Sequence, residues 1–298
     1  MARMLGAAER LARFAMNRRG FESRWVTSGA THLHVYESRG GGSLPTTVML
    51  HGLGSAAAPF GRVLARLRPH VRRVLAPELP GHGFSAHPGS RMTPDVALDA
   101  LTHALDGLLD EPAIVCGNSL GGAVALHYAL RRPERVRALV LLSPAGARLS
   151  EDEWRELKDA FRIRTRADAT RLIERVYHRP PWFLALFAHE FPEAFRRPAV
   201  QDILDTATNE HAPTPDDLAS LPMPILLVWG KSERLLPASA LEYFRAHLPP
   251  HAIIEQPEGF GHSPHLDEPA RVADRILRFA RDVERGVEHG ARGQAETA

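Results

Sequence analysis

A mostly parallel β-sheet flanked by helices, with an inserted helical cap, is the α/β architecture that this sequence predicts. Three observations predict it. Short, fully apolar runs alternate with helical patterns from Thr47 to Leu142, the rhythm of strands joined by helical crossovers. The alternation stops at Ser143-Pro144-Ala145-Gly146 and returns at Pro224-Ile225-Leu226-Leu227-Val228-Trp229-Gly230, with a strandless Arg/Glu/Asp-rich stretch between. Gly117-Asn118-Ser119-Leu120-Gly121 links an apolar run to a helical pattern through a serine with glycine two residues to each side.

In chain order, residues 3–16 set Leu5, Ala8, Leu11, Ala12 and Ala15 against Arg3, Arg10 and Arg13. That amphipathic pattern favours a helix packed on the domain exterior or a frayed terminus, with contact to an anionic membrane surface as the alternative. Glu22–Thr27 and His32–Glu37 read as strands joined at Ser28-Gly29, and Thr47–Leu50 as a buried strand. Phe60–Leu67 is helical, Val71–Pro77 a strand, and Thr93 with Asp95 opens a helix through Leu109. Ala113–Cys116 and Ala138–Leu142 are buried strands, the first followed by a helix that Pro133 stops.

These limits place an α/β core at 1–146 and 222–285 and a helical cap at 147–221. The cap holds eight of the chain's twenty aromatic residues, so it is expected to build an apolar pocket as well as its own core. Phe183, Phe187 and Phe191 recur at four-residue spacing, which puts them on one helical face. Ala252–Glu255 is the last strand and Asp267–Val283 the last helix. Residues 286–298, polar and glycine-containing, are expected to be a disordered tail.

Composition narrows the function. The 298 residues can bury a substantial core, and a formal charge of +2 gives no case for nucleic acid. Cys116 is the single cysteine, which excludes an intrachain disulfide and suits a buried structural thiol. No stretch approaches the roughly 20 apolar residues of a membrane span, and no apolar run near the start reads as a signal peptide. A cytoplasmic location is the expectation. No cluster of His, Cys, Asp or Glu at ligand spacing suggests a metal, and Gly117–Gly122 lacks the spacing of a phosphate loop.

The serine turn carries chemistry. Strand, G-x-S-x-G and helix in that order form the nucleophile-elbow pattern, in which a strained turn presents the hydroxyl at a helix N-terminus. The helix dipole there favours developing negative charge. Ser119 is therefore the candidate nucleophile.

Taken with His51-Gly52-Leu53-Gly54, Leu79-Pro80-Gly81-His82-Gly83-Phe84-Ser85, Trp229–Pro237 and Gly261-His262, the elbow makes the chain resemble the α/β-hydrolase fold family over nearly all of 30–283. Within that family it looks most like bacterial lipases and esterases and monoacylglycerol lipases. The resemblance implies Ser119 as nucleophile, His262 as general base and Glu233, where the family usually has aspartate, as the acid that orients the histidine. It implies an oxyanion hole from the backbone N–H groups of Leu53 and Leu120. His51, His82 and Glu78 are expected to be structural, and His262 rather than His265 to be the base.

The activity implied is hydrolysis of a small-molecule ester with a hydrophobic acyl group through an acyl-enzyme, with no external cofactor. A carbon–carbon bond hydrolase of ring-cleavage products is the rival within the fold, since that group shares the Gly-Asn-Ser elbow. A non-catalytic ligand-binding module is the alternative outside enzymes.

Overall fold

The structure, a computed structural model, describes residues 2–29, 31–182, 184 and 195–295. Its centre is a set of strands with buried side chains on both faces: β3 (Thr47–Leu50), β5 (Ala113–Ser119), β6 (Val136–Pro144) and β7 (Ile225–Val228). Helices cover both faces of these strands, which is why their sequences run apolar instead of alternating. With β1 (Glu22–Ser28), β2 (Thr31–Arg39), β4 (Arg73–Pro77) and β8 (Ile253–Glu255) they form one eight-stranded sheet. The order is β1-β2-β4-β3-β5-β6-β7-β8. β2 runs antiparallel to β1 and β4, and all other pairs are parallel.

One apolar layer joins Leu50, Val115 and Leu141 to α3 (Pro94–Leu108), α4 (Leu120–Arg131) and a later helix bearing Leu241 and Phe244. The other joins Met49, Cys116 and Val140 to α2 (Gly61–Leu67) and the last helix through Val272 and Ile276. The first helix, α1 (Ala2–Arg18), reaches this second layer through fully buried Met16, which clusters with Phe21 and Phe60.

Between β6 and β7 the chain leaves the sheet. It forms α5 (Glu151–Ala160), α6 (Arg166–Val176), α7 (Pro198–Thr206) and α8 (Pro215–Ala219). α5, α6 and α8 each open on a Ser or Thr whose side chain accepts the N–H three residues on. The acid there reaches back, satisfying two orphan donors at once. Phe161, Ile163, Leu172, Ile173, Phe195 and Val200 form a separate apolar cluster with Leu235 of the core. Phe183, Phe187 and Phe191 lie outside the described residues.

After β7 come α9 (Ala238–His247), α10 (Pro264–Asp267) and α11 (Pro269–Ala295). α11 runs well past Val283, the end expected for the last helix. No proline follows Pro269 in the sequence, and glycine costs a helix only about 1 kcal/mol per residue without blocking it. Glu284, beyond the anticipated end, pairs with Arg137 of β6 at 2.8 Å.

Candidate active site

Ser119 ends β5 and precedes the first residue of α4, with φ 55° and ψ −122°. That is a conformation side chains rarely adopt, and surrounding packing must hold it. The flanking glycines explain how. A Cβ at Gly117 would stand 2.1 Å from the carbonyl oxygen of Gly121, and one at Gly121 would stand 2.2 Å from that of Leu50. Helix and strands therefore approach closer than any side chain allows, and the turn is forced tight. Leu120, next in sequence, is the first residue of α4, so its N–H is among those a helix leaves without an internal acceptor.

His262 lies on the loop between β8 and α10, and Glu233 on the loop after β7. Nδ1 of His262 is 2.9 Å from Oε2 of Glu233, with both side chains almost fully buried. The ring nitrogen donates, because an ionised carboxylate only accepts. The other oxygen of Glu233 accepts the N–H groups of Leu235 at 2.8 Å and Leu236 at 3.0 Å. Burial opposes ionisation of Glu233, but the His262 charge and hydrogen bond and the two backbone donors outweigh it. The carboxyl is held below its ordinary range. The extra methylene of glutamate is thus accommodated by a small nest of N–H groups.

Ser119, His262 and Leu53 line one cavity of about 400 Å³, with Phe161, Leu172, Ile173, Val176 and Phe195 of the insertion among its walls. Gly52 is packed on the serine: a Cβ there would be 3.1 Å from Ser119 Cβ. His51 fixes this loop, since Leu79 N–H donates to its Nε2 at 3.0 Å and its Nδ1 contacts the Gly52 carbonyl at 2.9 Å. Burial pushes the His51 pKa down, and the two contacts define a neutral ring with the proton on Nδ1. Glu78, also buried, accepts from Ala57 N–H at 3.1 Å and Phe84 N–H at 2.7 Å and pairs with His34 at 3.0 Å. His51 and Glu78 therefore brace loops, as expected of them.

His265 lines the same cavity, but its ring stacks on Phe60 with centroids 4.2 Å apart, and its Nδ1 has no partner among the described residues. Burial, then the charges of His262 and His51, lower its pKa to about 3. No carboxylate meets its Nδ1 among the described residues, whereas Nδ1 of His262 meets Glu233. Cys116 is buried and its thiol is pushed up by burial, so it is no nucleophile. Among the described residues no group of three or more His, Cys, Asp or Glu could hold a metal ion.

Two residues escaped the sequence reading. The Asn118 side-chain amide donates to the carbonyls of Leu142 at 2.8 Å and His262 at 2.9 Å. Asp267 accepts the N–H groups of Gly261 at 2.8 Å and His178 at 2.9 Å, tying the histidine loop to the insertion. Asn118 stood in plain view between glycine and serine. Nothing local announces Asp267.

A sequence model of the alpha/beta hydrolase fold matches residues 45–269. The chain belongs to the α/β-hydrolase fold family. It is 30% identical over 273 residues to a pimeloyl-[acyl-carrier protein] methyl ester esterase of Vibrio vulnificus, covering 84% of this chain and 99% of that one. It is 28% identical over 255 residues to a 2-hydroxymuconate semialdehyde hydrolase of Pseudomonas putida, covering 80% and 87%. A solved membrane phospholipase A, described as a bacterial virulence factor, superposes with a TM-score of 0.78 at 25% identity, covering 95% and 92%.

Proposed function

We propose that this protein is a serine hydrolase that cleaves carboxylic esters with an apolar acyl group. The observation that carries the proposal is the buried contact of 2.9 Å between His262 and Glu233, with His262 and strained Ser119 lining one cavity of apolar walls. Kinship with an esterase of Vibrio vulnificus over almost its whole length supports the same reading.

In this mechanism His262 Nε2 takes the Ser119 proton as Oγ attacks the ester carbonyl. Glu233 keeps the imidazole proton on Nδ1 and stabilises the imidazolium that forms. The N–H groups of Leu53 and Leu120 receive the oxyanion. Collapse expels the alcohol with the proton that His262 returns. Water, deprotonated by His262, then releases the acid from the acyl-enzyme.

The test is hydrolysis of a chain-length series of aryl and glycerol esters by wild type and Ser119→Ala, alongside a ring-cleavage dienoate. Turnover of esters, lost by about 10⁶ in the variant, is expected. A variant retaining a tenth of wild-type activity would remove Ser119 from the role. Preference for the dienoate would transfer the chemistry to carbon–carbon cleavage, and failure of a covalent serine probe to label folded protein would leave a binding module.

A further inference from the structure

The first helix is anchored by one side and leaves another exposed among the described residues. Met16 is buried, and Glu9, which lines the cavity, pairs with Arg197 at the start of α7. Arg13 lies over the ring of Trp25 on β1, 5.1 Å from its centroid. Residues 10, 11, 14, 17 and 18 face solvent. Among them Leu11 is 68% and Phe14 60% exposed, and neighbouring Trp25 is 46% exposed. These are three of the five large hydrophobic side chains exposed among the described residues, so the apolar surface is concentrated here.

The charge of this segment has one sign. Residues 3–19 contain Arg3, Arg10, Arg13, Arg18 and Arg19 against Glu9 alone, and Glu9 is already paired. Arg10 and Arg18 are exposed on the same face as Leu11 and Phe14. Exposed Leu, Phe and Trp rimmed by arginine is the pattern of a helix lying in a membrane interface. The apolar side chains enter the acyl boundary while the guanidinium groups meet anionic headgroups. A second copy of the chain fits worse, because a two-fold contact through this face would set its own arginines against each other.

We propose that α1 and Trp25 form a docking surface for anionic phospholipid bilayers. The face that docks and the wall that carries Glu9 then belong to one helix, so the cavity is held at the lipid surface. No described helix is long and apolar enough to cross a membrane, and docking of this kind is peripheral.

The full chain is sedimented with vesicles of phosphatidylcholine and with vesicles of an equal mixture of phosphatidylcholine and phosphatidylglycerol. Binding is expected to the mixed vesicles only and to weaken as salt is raised. Leu11→Asp with Phe14→Asp should lower partitioning about tenfold or more. Arg10→Gln with Arg18→Gln should lower it about fivefold per arginine. Thermal unfolding should be unchanged in both pairs, which keeps a misfolded variant from passing as support. Wild type left in the supernatant with mixed vesicles at low salt would overturn the proposal, as would equal binding to both compositions. A Phe14→Asp change in elution volume with unaltered vesicle binding would make the face a self-association surface instead. Because the readout is lipid binding, the outcome is independent of whether the protein proves to be an esterase.

Discussion

The side-chain amide of Asn118 donates to the backbone carbonyl of His262 at 2.9 Å, so the residue before the serine holds the loop that carries the histidine. Its second N–H secures the carbonyl of Leu142 on the neighbouring strand at 2.8 Å. Three segments remote in sequence are thereby fixed to one buried amide.

Asn118→Ala should destabilise the fold by about 1–3 kcal/mol, since two buried carbonyls lose a donor. It should lower kcat more than it changes KM, because His262 loses its tether while the cavity walls stay. Urea unfolding and steady-state kinetics check this. An unchanged kcat in a variant with the expected loss of stability would confine Asn118 to a structural part.

Glu233→Gln separates orientation from charge. One carboxylate oxygen holds two backbone N–H groups, so the new amide oxygen should stay there and its NH2 turn to Nδ1 of His262. Two donors then face each other unless the ring changes tautomer, which moves the proton to the nitrogen that should act as base. An analogous change in a Ser-His-Asp triad costs about 10⁴ in kcat. Glu233→Asp keeps the charge and should retain far more. Comparable activity in the Gln variant and wild type would reopen the search for the acid.

Gly121→Ala tests the close approach behind the elbow. The added methyl would meet the Leu50 backbone, which cannot swing aside as a side chain would. Destabilisation above about 3 kcal/mol is expected. A melting temperature near that of wild type would show that α4 can retreat from the sheet.

Acidification should weaken the fold through buried histidines. Burial, then the His51 charge, lowers the His82 pKa to about 3, and His265 is lowered to about 3 as well. Unfolded, each takes a proton near about 6.5. Between those values the unfolded chain binds more protons, so stability rises with pH across the window and is lost as pH falls below about 6.5. The loss is on the order of 2–3 kcal/mol per histidine by pH ~4.5. Replacing His265 by Phe should flatten the dependence of the urea midpoint on pH. Identical slopes for that variant and wild type would contradict the assigned protonation.

Much of the frame was legible because its signals are local. β3, β5, β6 and β7 stand out as apolar runs, and the G-x-S-x-G spacing marks a turn whose glycines have no room for a methyl. The approach of Glu233 to His262 needed the family resemblance, since neither flank encodes the other. Which cap aromatics reach the cavity was beyond any pattern. Phe161 and Phe195 come together, with ring centroids 5.8 Å apart, only when the helices of the insertion pack. The length of α11 was misjudged because glycine and polar content resemble a tail, whereas helix continuation depends on anchors such as Glu284 with Arg137.

β6 and β7 lie side by side and parallel, with Leu139 opposite Ile225 and Leu142 opposite Val228. The chain between them therefore leaves the sheet at the C-terminal end of β6 and crosses back to rejoin it at the N-terminal end of β7, on the opposite rim. Ser119, Glu233 and His262 hang from loops that the sheet itself positions, while Phe161, Leu172 and Ile173 belong to the excursion. A different insertion could be spliced at the same two points without altering a single strand pairing. In the proposed esterase, reactivity and selectivity are thus written on separable parts of the chain, and one can drift while the other is kept.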